Sequence, residues 1–224
     1  MTDAASPISA DVRRGGLTRD DIVEAALELV RTEGIESVTM RRLADRIGVT
    51  PMALYHHIPN KAMLLDLVVE RVGADIRLAH DGRPWTDQIR DYAHQWREEL
   101  HRYPGVAGYL LRAAGPPAMS WRIIDDAVSL MVESGFDDRQ ATRAYAGLVS
   151  FVLARCDQEE VMAGHAAKAP AEAWSPEQIR EYLPEAHDNV DLGRVAGYLR
   201  ELSADEHFSY VLDRLLAGID AERD

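Results

Sequence analysis

Apolar residues recur along this chain at spacings of three and four, the period of a helix with one buried face. Ile22, Ala25, Ala26, Leu29 and Val30 form the first such stripe. Thr18 stands before it as an N-cap with Asp20 and Asp21 in the first turn, and Gly34 ends it. Thr39 opens a second helix that turns Leu43, Ala44 and Ile47 inward and stops at Gly48. Thr50 opens a third, with Pro51 in its first turn, where no N–H is needed, and Leu54 as its inward residue. Asn60 caps a fourth, from Lys61 to about Leu78, along which Met63, Leu64, Leu67, Val68 and Val72 face inward. Two short helices broken at Gly48, braced by longer neighbours, have the shape of a helix-turn-helix.

The rest of the pattern is helical too. Trp85 to Arg102 carries Ile89, Tyr92, Ala93, Trp96 and Leu100 on one face, and Pro104 begins a short helix with Val106, Tyr109 and Leu110. After a break at Gly115-Pro116-Pro117, Ala118 to Ser134 places Ile123, Ile124, Ala127, Leu130 and Met131 together, and Gly135 closes it. Asp137 to Glu160 is apolar on more than one face, through Ala144, Leu148, Val149, Phe151, Val152 and Ala154. Met162 to Ser175 is rich in Ala, Pro and Gly and reads as a loop before a short helix from Ser175 to Leu183. Asp205 to Ile219 is the last helix, with Phe208, Val211, Leu212, Leu215 and Leu216 inward. No alternating run argues for a strand, and no internal repeat is visible. The expected fold is all-α: a loose tail over 1–16, a helix-turn-helix unit over 17–62, a linking helix over 63–80, and a larger helical body over 81–224.

Charge sharpens this division. The 224 residues carry a formal charge of -13, which argues against sequence-blind adhesion to nucleic acid. Residues 37–61, however, hold Arg41, Arg42, Arg46 and Lys61 against Asp45 alone, a balance of +3. Residues 81–224 hold 15 basic and 26 acidic groups, a balance of -11. A cationic tip on an acidic body can touch DNA with the tip while the body is repelled, which enforces one docking pose. With Cys156 the only cysteine, no intrachain disulfide can form, and a reducing cytoplasm is the natural compartment. The N-terminus lacks the apolar run of a signal peptide, and no segment approaches the roughly 18 apolar residues of a membrane helix.

In a helix-turn-helix the second helix enters the major groove and the first braces it. With Leu54 inward, Thr50, Pro51, Met52, Ala53, Tyr55, His56 and His57 face or flank the DNA. Met52 and Ala53 suit apolar contact, for instance with a thymine methyl, and His56 suits a base edge. Tyr55 and His57 suit phosphate. Thr39 with the free N–H groups beside it forms a phosphate seat, and Arg41 or Arg42 and Lys61 reach further phosphates. Each residue alone has a duller reading: Arg42 as a solvated helix residue, Tyr55 as a core aromatic. His56-His57 as a metal pair is disfavoured, because adjacent helix positions point about 100° apart. The chain shows no HExxH, no Gly-rich phosphate loop and no triad, so neither an enzyme nor a bound cofactor or metal is expected. Cys156 inside an apolar helix reads as a structural thiol.

Taken together, Ala25-Ala26-Leu27-Glu28-Leu29, Gly34-Ile35-Glu36, Thr39-Met40-Arg41-Arg42-Leu43-Ala44, Gly48-Val49, Leu54-Tyr55-His56-His57-Ile58 and Asn60-Lys61 resemble the tetracycline-repressor type of bacterial transcriptional regulator. The resemblance is close over about 18–72. It implies an N-terminal three-helix reader, a linking helix and a ligand-binding, dimerising body. It also implies a homodimer on a palindromic operator, most often a repressor released by a small-molecule effector. By that pattern Thr39, Arg41, Pro51, Met52, Ala53, Tyr55, His56, His57 and Lys61 fall where DNA is contacted. A looser likeness to the tetracycline repressor's own branch runs through Gly135-Phe136, Leu153 to Glu160, and Phe208 to Ile219. It fails where that branch has a histidine for a magnesium–drug complex. Here the chain reads His101-Arg102-Tyr103-Pro104-Gly105-Val106-Ala107-Gly108-Tyr109, which puts a drug–metal chelate in doubt.

An effector pocket between body helices would draw on His94, Trp96, Tyr103, Tyr109, Leu110, Trp121, Ile124, Met131, Tyr145 and Phe151, although core packing explains any one of them singly better. For the dimer, the helices 137–160 and 205–219 form the natural four-helix pair, through Ala144, Leu148, Phe151, Val152, Phe208, Val211, Leu212 and Leu215. Two readers then span half-sites about 34 Å apart or a multiple of that. The alternative is an adaptor or activator that binds DNA without a small molecule, which a closed body with no cavity above roughly 300 Å³ would favour.

Overall fold

The computed structural model describes residues 16–113, 120–166 and 203–223. The tail, the Gly115-Pro116-Pro117 break and the helix expected from Ser175 to Leu183 lie outside them. The described residues are helical, in the order α1 (Arg19–Glu33), a 3-10 turn (Ile35–Ser37), α2 (Met40–Ile47), α3 (Pro51–His57), α4 (Lys61–Val72), α5 (Trp85–Arg102), α6 (Val106–Arg112), α7 (Ser120–Glu133), α8 (Asp138–Ala166) and α9 (Ala204–Asp220). The fold is all-α.

Local chemistry sets the helix starts. At α1, Thr18 Oγ1 accepts from the Asp21 N–H at 3.1 Å while Asp21 Oδ2 accepts from the Thr18 N–H at 2.9 Å, a reciprocal capping box. Thr39 caps Arg42 N, Thr50 caps Ala53 N and Asn60 caps Met63 N, at 3.2, 3.3 and 2.8 Å. The break between α2 and α3 is made by Gly48, whose φ of 83° and ψ of 36° lie in the left-handed region that a side chain strains. Ser203 and Glu206 repeat the capping box at α9.

Two boundaries differ from the pattern reading. The linking helix ends at Val72, well short of Leu78. Beyond Gly73 the buried residues are Ile76 and Leu78, two apart, the spacing of an extended segment laid on the core. At the other extreme, α8 runs six residues past Glu160 to Ala166, so the expected loop does not begin at Met162. Val161-Met162-Ala163 is rich in good helix formers, and nothing in it interrupts the i→i−4 ladder.

α1 packs on α2 and α4, and α2 on α3. In the body, α8 is the spine, in contact with α5, α6, α7 and α9, and α9 also packs on α5. The buried apolar side chains of reader and body join in one continuous cluster. The two parts meet where the Ile35 N–H donates to the Pro104 carbonyl at 2.9 Å. Among the described residues no helix is long and apolar enough to cross a membrane.

Candidate DNA-binding surface and ligand cavity

Leu54 is fully buried, so α3 is fixed by a single anchor and the rest of its surface is free. Met52 is 66% and Tyr55 45% exposed. Pro51, His56 and His57 are exposed as well, Ala53 is half-buried, and Thr39, Arg41, Thr50 and Lys61 all face solvent. Arg42 is engaged elsewhere. Its guanidinium pairs with Glu33 and donates to the Ser37 carbonyl at 3.3 Å. That ties α2 to the end of α1, while the Arg42 side chain stays 47% exposed. Arg46, one turn on and exposed, is a further cation on α2 that the site reading passed over.

A cavity of about 450 Å³ lies within the body. Five helices wall it: α4 through Val69; α5 through Ile89, Tyr92, Ala93, Trp96 and Leu100; α6 through Leu110; α7 through Ile124 and Met131; α8 through Tyr145, Leu148 and Val152. Of the aromatic and apolar residues expected there, Trp96, Leu110, Ile124, Met131 and Tyr145 line it. The other five do not. His94 and Phe151 stack on Phe208, at 5.1 and 5.2 Å between ring centroids. Tyr109 donates its hydroxyl to Asp66 at 3.3 Å, binding α6 to α4. Trp121 is 62% exposed on the outside of α7. Tyr103 sits half-buried at the turn beside Pro104, away from the lining. The missed wall residue of most chemical interest is Tyr92. Its spacing of four from Trp96 on α5 was the available signal, since residues i and i+4 share a face.

The face expected to meet a second copy is partly consumed within the chain. Phe208 and Leu212 are fully buried, and Ala144, Leu148 and Val152 are at most 7% exposed. These side chains fill the contacts among α5, α8 and α9 or the cavity wall, so they have no area left to offer. Phe151, Val211 and Leu215 keep some exposure. The outward surfaces of the same two helices present Gly147 and Ala154 on α8, and Tyr210, Arg214 and Ala217 on α9.

An ionic cluster, buried at Arg97 and Glu159 and open to solvent at Asp205, ties three helices together. Arg97 of α5 holds Glu159 of α8 at 3.0 Å and Asp205 of α9 at 2.7 Å, and its guanidinium lies 4.8 Å from the centre of the Phe208 ring. His101 meets Glu159 at 2.9 Å. It is committed to that cluster and is not part of the cavity wall. Among the described residues no group of three or more His, Cys, Asp or Glu side chains is placed to hold a metal. Cys156, 2% exposed, has its thiol pushed up to about 12 by burial. A thiolate is the reactive form, so native protein is expected to resist thiol reagents at neutral pH and to label fully only once unfolded. Rapid stoichiometric labelling of folded protein would contradict this packing.

Comparison with known proteins agrees with these two halves. Residues 22–68 match the model of bacterial regulatory proteins of the tetR family, and residues 78–223 match that of the tetracyclin repressor-like C-terminal domain. The class D tetracycline repressor protein of Escherichia coli is 32% identical over 148 residues, covering 64% of this chain and 67% of that protein. Apo ActR from Streptomyces coelicolor superimposes with a TM-score of 0.75 at 26% identity, over 92% of this chain and 96% of that one. ActR in complex with actinorhodin superimposes with a TM-score of 0.78 at 25% identity, over 93% and 97%.

Proposed function

The chain belongs to the tetR family of bacterial regulatory proteins, and on that premise we propose that it is a homodimeric cytoplasmic repressor which a small-molecule effector releases from a palindromic operator. Within the family we assign its body to the tetracycline-repressor-like branch. Residues 17–62 act as the reader, α4 as the link, and the remainder as the effector-binding and dimerising domain. The observation that carries this reading is the pairing of a capped, single-anchored recognition helix with a separate cavity of about 450 Å³ in the body. That volume lies within the range of small-molecule sites. It counts against the adaptor that needs no ligand, for which a closed body was expected.

Bases are read from α3, through Met52, Ala53 and His56. Thr39, Arg41, Thr50, Tyr55, His57 and Lys61 seat the phosphates, and Arg42 keeps α2 in place for them. One helix per protomer is too small a contact for useful affinity, and two on one duplex supply it. The dimer forms on the outward surfaces of α8 and α9, where small residues let helices approach.

The cavity wall reaches the reader by two routes. Val69 belongs to α4, whose first residue is Lys61. Leu110 belongs to α6, whose leading turn at Pro104 and Gly105 holds Ile35. An effector that displaces α4 or α6 alters the separation of the two recognition helices. Effector and operator then bind antagonistically, each weakening the other by the same factor.

Selection of bound duplexes from a random pool returns the operator, and a gel shift with it tests the phosphate roles. The Arg41→Ala, Lys61→Ala double variant is expected to weaken binding across all sequences alike. It should reduce the slope of log affinity against log salt by about 2, near one per lost phosphate contact. An unchanged slope would remove these two residues from the interface. A relaxed sequence preference would move them to base contacts.

A further inference from the structure

Two neighbouring histidines end the recognition helix. His56 and His57 fill the last turn of α3, and both are exposed. The polar ties of α3 are made by its backbone: Thr50 caps the Ala53 N–H, and the Leu54 carbonyl accepts from the Ile58 N–H at 2.9 Å. Among the described residues the one histidine in an ion pair is His101, in the body. Neither ring of α3 has a carboxylate beside it to hold its proton.

The charges around them are mostly of one sign. α3 packs on α2, whose ionisable side chains are Arg41, Arg42, Asp45 and Arg46. Glu33 of α1 is taken by Arg42. Lys61 opens α4 just beyond the turn, and Tyr55 shares α3. Asp66, further along α4, accepts from Tyr109. Asp45 is the one carboxylate left to face Arg41, Arg46 and Lys61. What this surface lacks is negative charge, and a duplex supplies it at one charge per about 1.7 Å of axis. Imidazole changes its charge between pH 5 and 8, and an anion within about 4–6 Å favours the protonated form. The imidazolium donates from both nitrogens, to a phosphate or to an acceptor on a base edge.

We infer that operator binding is coupled to proton uptake at His56 and His57, so that the protein holds its operator more tightly as pH falls from 8 to 6. This rests on the reading of α3 as the recognition helix and adds a regulation to it. The complex carries more protons than its separate partners, so acid favours the complex and alkali the free forms. A dimer presents four such rings, and a tenfold change in affinity asks only about 1.8-fold of each.

Gel shifts of the full-length protein with its selected operator, at constant ionic strength and at pH 6.0, 7.0 and 8.0, test it. Affinity is expected to be about tenfold or more higher at pH 6.0 than at pH 8.0. The slope of log affinity against log salt should steepen by about one or more at the lower pH, because added cations displace further counter-ions. The His56→Gln, His57→Gln double variant removes both ionisations at exposed positions. It is expected to bind at every pH within about twofold of the wild type at pH 8.0. His101→Gln, in the body, should keep the full dependence. Titration calorimetry of the wild type at pH 7.0, in PIPES and in imidazole buffers, whose heats of ionisation differ, counts the protons, and about half a proton or more per dimer is expected.

The inference is overturned if affinity is flat between pH 6.0 and 8.0, if the dependence persists in the double variant, or if calorimetry finds no proton uptake. Melting curves at the three pH values ensure that folded protein is compared. If the double variant binds too weakly to titrate, the proton count on the wild type decides. Operator binding without pH dependence removes this inference alone. Absence of operator binding at every pH removes the recognition reading together with it.

Discussion

Phe208→Ala is expected to lower the stability of the chain by about 4 kcal/mol and its melting temperature by roughly 10 °C. Phe208 is fully buried and is the hub of α9's seat. His94 of α5 and Phe151 of α8 pack on its ring, and the Arg97 guanidinium lies over it. Alanine leaves a hole that three different helices would have to fill together. It also strips the apolar partner from Arg97, whose charge is already committed to Glu159 and Asp205. Urea denaturation followed by circular dichroism checks this. A loss below about 1 kcal/mol would mean that α9 is anchored by its polar ties, among them those of Arg90 to Asp213, Arg97 to Asp205 and Trp85 Nε1 to Asp220.

Gly105→Val is the second large effect, and it is functional as well as structural. Gly105 has φ of 81° in the left-handed region, and a Cβ there would lie 2.8 Å from Ile35 Cγ2. Valine therefore meets backbone strain of 1–2 kcal/mol and an overlap of similar size, about 3 kcal/mol together. The turn cannot relax freely. The Gly105 N–H donates to Glu160 at 2.8 Å, and its neighbour Pro104 accepts from Ile35. Relief has to come from parting the turn from Ile35, which is the joint through which α6 meets the reader. Effector-driven release is expected to weaken at least tenfold, even at a temperature where the variant is folded. A gel shift with rising effector, run beside a melting curve, measures both. Full release in a folded variant would show that α4 alone carries the signal.

What the sequence made legible was local. Thr18, Thr39, Thr50 and Asn60 announce helix starts because a cap is a contact between residues three apart. Gly48 announces the bend because its backbone angles exclude side chains. The exposed face of α3 followed from these, since Leu54 is the one residue of α3 that the caps and the bend bury fully. Arg42 was not legible, because its partner Glu33 sits on another helix and is reached only once α1 and α2 cross. The cavity was half legible for a similar reason. Periodicity tells which side chains face inward, but an inward Phe151 meets another ring while an inward Trp96 meets open space. The same blindness sent Leu148, Val152, Phe208 and Leu212 to a partner subunit, although their own chain covers them. An apolar stripe states that something will cover it and leaves open whose surface that is. Helix length failed at Val72, where an extended segment is laid on the core instead, and past Glu160, where exposed helix formers carry α8 on through the expected loop.

The bond from Ile35 to Pro104 lies inside a core that runs without interruption from the reader into the body. The reader is thus no detachable cassette. Cut free, it would bare Ile35, itself 2% exposed, to water and forfeit the carbonyl that satisfies its N–H. Melting of the α1–α3 unit and melting of the cavity walls are therefore expected to coincide, which unfolding curves followed by a probe in each part check. A lesion deep in the enclosure, far from any nucleotide, can therefore silence DNA recognition simply by thinning the folded population.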